Sequence, residues 1–193
     1  MVSKSLCVLA FAVVASAAFA HEVVYYGILS GLNEVPSNGS AGTGTAKVTM
    51  DLDLVTMRVE VQFSGLTGNT TASHIHFGTG PGTNGAVATM LPSFTAFPLG
   101  VKSGSYDHTF DMALASSYNP SFISNNGGTV GSALNAFLLK LDSGLGYLNI
   151  HTSSVPSGEI RANLVAVPEP SVCASVALGL VAIARRRRRN SAS

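Results

Sequence analysis

Ala72-Ser73-His74-Ile75-His76-Phe77 and its later echo Tyr147-Leu148-Asn149-Ile150-His151-Thr152 decide how this chain is read. In an extended strand successive side chains point to opposite faces, so Ile75 and Phe77 share one face while His74 and His76 share the other. The second stretch repeats the layout. Leu148 and Ile150 point inward, and Tyr147, Asn149 and His151 point the opposite way. If the two strands are neighbours in one sheet, three imidazoles converge on its outer, polar face.

Outward from these stretches the period of two continues. Glu22 to Leu29 is rich in β-branched and aromatic residues and reads as a strand. Ala46, Val48, Met50 and Leu52 alternate with Thr45, Lys47, Thr49 and Asp51; after a brief turn Met57, Val59, Val61 and Phe63 alternate with Arg58, Glu60 and Gln62. Two amphipathic strands so closely joined predict an antiparallel hairpin. Tyr106, His108, Phe110 and Met112 share a face in a further strand, where His108 reads as a packing histidine. Residues 78–100, rich in Gly and Pro, form a long loop with one short strand near Val87, and loops of that length often carry function. Asn119-Pro120 starts a short helical turn that ends by Gly127. Thr129 caps a helix over about 130–141 whose apolar stripe is Val130, Ala133, Leu134, Phe137, Leu138 and Leu141. After Pro156-Ser157-Gly158 a last strand places Ile160 and Leu164 inward, with Glu159, Arg161 and Asn163 outward. Glu159 and Arg161 are expected to pair across to neighbouring strands as ordinary surface ions.

The two ends read differently. Lys4, the apolar run Leu6 to Val14 and the A-x-A site Ala18-Phe19-Ala20 mark residues 1–20 as a secretory signal helix. Pro168-Glu169-Pro170 precedes an uncharged run, 171–184, and then Arg185, Arg186, Arg187, Arg188 and Arg189; next to an apolar helix such arginines act as a cytoplasmic stop. The run is shorter than the roughly 20 residues of a comfortable span, so tilt or arginine snorkelling must help it serve as a transmembrane helix. Segment 167–193 resembles the bacterial PEP-CTERM sorting signal. That resemblance implies an exosortase-type sorting peptidase as partner, transient anchoring in the inner membrane, and a cell-surface or extracellular destination. The exported region, 21–166, holds five basic and nine acidic residues, a formal charge of −4, and so carries no footprint for nucleic acid. Both cysteines, Cys7 and Cys173, fall outside it, so any metal in it must use nitrogen and oxygen ligands.

Several separated phrases then fall in line. Gly31-Leu32-Asn33-Glu34-Val35-Pro36 precedes Gly42-Thr43-Gly44-Thr45-Ala46; Phe63-Ser64-Gly65-Leu66-Thr67 precedes Ala72-Ser73-His74-Ile75-His76; Tyr147-Leu148-Asn149-Ile150-His151-Thr152 precedes Gly158-Glu159-Ile160-Arg161. Their order and spacing resemble the CHRD domain, named for chordin and present in many bacterial secreted proteins, over Val23 to Val165. The resemblance implies an all-β fold, an antiparallel Greek-key or immunoglobulin-like β-sandwich or barrel, here with the one short helix packed on it. It implies no particular activity. Two departures stand out: Ser37 replaces a second proline, and Phe77 replaces the glycine that usually follows H-I-H directly, which alters the strand exit beside the histidines.

Zinc and copper accept neutral imidazole, and histidines at i and i+2 on one strand reach a single ion when a third comes from across the sheet. His74, His76 and His151 are therefore candidate metal ligands for Zn or Cu. The competing reading has them hydrogen-bond to Glu34, Glu159 or backbone and hold sheet and loops together. Glu34, in the first Gly-Pro-rich loop, is placed to swing over this face. No nucleophile, general base or other cofactor is assigned. The function expected is a surface or matrix module that binds an extracellular protein or polysaccharide, with a metalloenzyme on the same histidines as the alternative. Two further readings are an adhesin that uses loop 78–100 and a copper site at His21, should cleavage after Ala20 make it the N-terminus.

Overall fold

The computed structural model describes residues 21–168 of the chain. Strands β1 (Glu22–Ser30), β2 (Thr43–Asp51) and β3 (Thr56–Ser64) form an antiparallel meander because their apolar residues fall in register, with Tyr25 opposite Val48 and Val48 opposite Val59. β6 (Gly104–Asp111) adds to β3 and completes one wall. The second wall comprises β4 (Thr70–Gly78), the short β5 (Gly85–Val87), β7 (Gly146–Thr152) and β8 (Ile160–Asn163), again all antiparallel.

The walls are parts of one sheet, ordered β5-β4-β7-β8-β1-β2-β3-β6. β8 pairs with β1 at Ser30 and Arg161; past the buried Leu164 the chain turns and β9 (Val165–Val167) pairs with Val24 to Tyr26 of β1. A chain that leaves one wall for the other makes a corner, and the corner folds the sheet over its own apolar face. Inside lie Leu29, Val48, Met57, Val59 and Val61 from one wall and Ile75, Leu148, Ile150 and Ile160 from the other. The result is an antiparallel sandwich, or half-barrel, as the resemblance implies.

Two helices follow β6, the short helical turn and the longer helix that the sequence predicts. Asn119 caps α1 (Pro120–Asn125) by accepting from the Ser121 N–H, and Thr129 caps α2 (Val130–Asp142) in a reciprocal box with Ser132. Ala133, Phe137 and Leu141 of the expected stripe are buried. Phe137 meets Phe77 edge to face at 4.9 Å between ring centres. Phe77, the departure after H-I-H, is thus a core residue, and β4 runs on through Gly78 to pair with Gly85.

The expected transmembrane helix requires correction. Among the described residues no helix is long and apolar enough to cross a membrane, and the longest, α2, has 13 residues where a span takes about 20. Transient inner-membrane anchoring, as a location and as a partner, therefore has no helix to serve it among the described residues. The signal helix at 1–20 and the sorting elements Glu169, Pro170, 171–184 and Arg185 to Arg189 lie outside the described residues.

Loop 88–103 is part of the scaffold. It runs along the free edge of β4, where the Ala88 N–H donates to Ile75 O and the Phe94 N–H to Ser73 O, and it buries Phe94 and Phe97. A segment so committed to the core is a poor candidate for a free adhesive loop.

Candidate metal centre

His74 and His76 leave the outer face of β4, and His151 leaves the same face of its neighbour β7. The register sets Asn149 opposite His74 and Tyr147 opposite His76, and puts His151 two residue pairs beyond Asn149, opposite Ala72. The three rings form a nearly equilateral triangle, with centres 5.3, 5.6 and 5.7 Å apart. One nitrogen from each ring lies within 4.8 Å of the other two. An ion about 2.0–2.1 Å from each would draw them closer together than that bound.

Which nitrogens face the centre is decided by loops. His74 Nε2 is 2.7 Å from Pro92 O, His76 Nδ1 is 3.0 Å from Gly85 O, and His151 Nδ1 is 3.0 Å from Pro156 O. A carbonyl only accepts, so each of these ring nitrogens carries the proton and its partner nitrogen carries a lone pair. Those partners, His74 Nδ1, His76 Nε2 and His151 Nε2, are buried and have no hydrogen-bond partner. This is how ligating histidines are commonly held: one N–H tied to a carbonyl, which fixes the tautomer and turns the bare nitrogen toward the ion.

The face is covered, where the sequence suggests an open one. His74 is 6% exposed and His76 8%. Burial drives the pKa of both down to about 4 against the pull of their carbonyl hydrogen bonds, with the nearby His151 adding to the fall. His151 is lowered by burial as well. All three rings are neutral near pH 7, the form that binds a metal without first losing a proton. The cluster is therefore able to coordinate a divalent metal ion, and nothing in the three-nitrogen set selects zinc over copper.

A second layer braces the triangle. The ring of Tyr147 stacks on His76 at 4.9 Å and 11°, and the Arg161 guanidinium lies on the Tyr147 ring, 3.4 Å from its centre. Arg161 is 1% exposed; it donates to Asn163 Oδ1, to Asn84 Oδ1 and to Thr83 O, and so anchors the loop that ends in the Gly85 carbonyl. Gly85 cannot carry a side chain there, since a Cβ would sit 1.7 Å from Phe77 O. Glu34 does reach the face: it is 8% exposed and accepts from Asn149 Nδ2 at 3.2 Å. Burial raises its pKa, opposed by the Asn149 bond and the Arg161 charge.

Glu159 departs from expectation. It is wholly buried and pairs with no cation among the described residues; Ser40 Oγ, the Thr67 and Gly68 N–H groups and Thr152 Oγ1 all donate to its carboxylate. Burial alone would raise its pKa, yet these bonds hold it down at about 2. His108 packs between Tyr106 and Phe110, as expected. His21 sits beside Asp53 on the surface and forms no part of the triangle. The partners missed in the sequence are Arg161 and the carbonyls of Gly85, Pro92 and Pro156; the only sequence signal for the carbonyls is the Gly and Pro content of their loops.

Fold and site together define an antiparallel β-sandwich with a buried three-histidine cluster on the outer face of one wall. The family model described as the CHRD domain matches residues 25–164, and the chain belongs to that family. No curated protein and no solved structure matches the chain.

Proposed function

We propose that this chain is an exported CHRD module whose His74, His76 and His151 bind one divalent ion, zinc or copper, and whose fold is stabilised by it. The observation that carries the reading is the set of three converging, unpartnered lone pairs, each turned inward by a carbonyl behind its ring. If the histidines served only as hydrogen-bonded scaffold, the inward nitrogens would need donors, and buried polar atoms seldom go without. Export rests on the signal-like sequence of residues 1–20. The PEP-CTERM-like tail, with Pro168-Glu169-Pro170 and the arginine cluster, supports handling by an exosortase-type peptidase. Binding and structural roles outside the cell fit a domain with no basic face and no cysteine.

Thermal unfolding of the chelator-treated chain tests the metal. An ion that binds only the folded state stabilises it by about 2.7 kcal/mol at a hundredfold excess over Kd. Zinc or copper should therefore raise the Tm of the native chain and leave that of His151→Ala unchanged. An equal rise in both, or in neither, would defeat the reading.

A further inference from the structure

Five buried side-chain atoms among the described residues have no hydrogen-bond partner: His74 Nδ1, His76 Nε2, His151 Nε2, Glu34 Oε1 and Asn149 Oδ1. Given the proton positions fixed above, all five are acceptors, and all belong to the same covered face. Loose packing would scatter donors and acceptors over the molecule; a set made only of acceptors in one place marks a missing donor.

The metal proposed above accounts for the three nitrogens and leaves two oxygens. Asn149 stands directly across from His74, a placement that sets Cβ atoms about 4.5–5.5 Å apart, and it lies two residues from His151 on the same face. Its amide orientation is fixed because Nδ2 donates to Glu34 Oε2, which leaves Oδ1 bare. Gly158 permits this placement, since a Cβ there would lie 2.5 Å from Asn149 Oδ1. Glu34 is thus one hydrogen bond from a residue that neighbours the triangle, and its other oxygen is also bare.

Resting on the metal reading, we propose that the ion keeps a fourth, exchangeable position that faces Asn149 and Glu34, filled by a water that donates one hydrogen to Asn149 Oδ1 and the other to Glu34 Oε1. Two orphaned acceptors match the two hydrogens of one water. Three protein ligands with a water in the fourth place define an open centre, whereas a metal of purely structural use is closed by four protein ligands. Burial of His74, His76, Glu34 and Asn149 limits the occupant to a small molecule. The anionic acceptor Glu34 favours a ligand that brings hydrogens, such as water, over a bare anion. Glu34 is in this account a specificity residue for the fourth ligand.

Cobalt(II) in place of zinc reports the position through its visible bands, with azide as the competing small anion. The full chain should take up one cobalt, and its bands should shift on addition of azide. Glu34→Gln, loaded at saturating cobalt, should bind azide more tightly, on the order of tenfold, because the carboxylate charge is gone and the amide can donate. Cobalt uptake with bands insensitive to azide would overturn the open position and leave the metal reading standing. An azide affinity unchanged in Glu34→Gln would overturn the role of Glu34. Failure of the native chain to take up cobalt would overturn both readings. The azide response of the native chain needs no variant and stands whether or not Glu34→Gln folds.

Discussion

On the outer face of β2, β3 and β6, Lys47 pairs with Glu60 at 2.7 Å, half-buried, and Arg58 grips Asp107 through two nitrogens, exposed, all within reach of water. On the outer face of β4, β7 and β8, His74, His76, Asn149 and Arg161 lie beneath loops and are nearly absent from the surface. Both faces arise from the same alternation of polar and apolar residues along antiparallel strands. What separates them is cover. In water a polar side chain is satisfied by solvent and its pairing contributes little. Under a loop every donor and acceptor must find a partner, so the few left bare indicate what the face is built to hold.

Breaking the covered face should therefore cost far more than breaking the open one. Arg161→Met would leave Thr83 O, Asn84 and Asn163 without their buried donor and remove the guanidinium from Tyr147. A stability loss of about 3 kcal/mol or more is expected in urea unfolding, together with weaker metal binding as the Gly85 carbonyl loses its anchor. A loss no larger than that of a surface variant would mean that the loop does not depend on Arg161.

Glu159→Gln keeps the shape but removes the charge that gathers four donors, and should cost about 2 kcal/mol near pH 7. The native carboxyl titrates at about 2, below its ordinary value of 4.5. Its contribution is present above pH 4.5 and is lost as pH falls toward 2. The difference between native and variant should shrink over that window; a difference constant with pH would argue against a buried carboxylate.

The histidines give a second window. In the metal-free chain His74 and His76 titrate at about 4, below the ordinary 6.5, so between these values the unfolded chain binds more protons. Stability should be full above pH 6.5 and fall as the solution is acidified toward 4. The urea midpoint of the chelated protein should be lower at about pH 5 than at about pH 7.5, and an unchanged midpoint would place the rings in solvent. The smallest effect belongs to the open face. Lys47→Gln should change stability by only about 0.2–1 kcal/mol, less at high salt.

Much of this was legible in the sequence, for a physical reason that also sets its limit. A period of two assigns side chains to faces, so His74, His76, Tyr147, Asn149 and His151 were grouped correctly, and the caps at Asn119 and Thr129 located both helices. Periodicity does not say what lies over a face. Cover comes from irregular segments whose backbone follows no period: the turn that offers Pro156 O, the run along β4 that offers Pro92 O, and the bend at Thr83 to Gly85. Glu159 shows the same limit. Spacing by two from Arg161 would put it on the outer face, but β8 begins at Ile160, and Glu159 sits in the preceding turn, which aims it at the Thr67 and Gly68 amides.

The most direct measurement is the metal content of the intact chain, purified without a histidine tag, by elemental mass spectrometry beside His74→Ala/His76→Ala. One equivalent of zinc or copper is expected in the native protein and none in the variant. No metal in the native chain after incubation with either ion, or equal metal in both proteins, would contradict it.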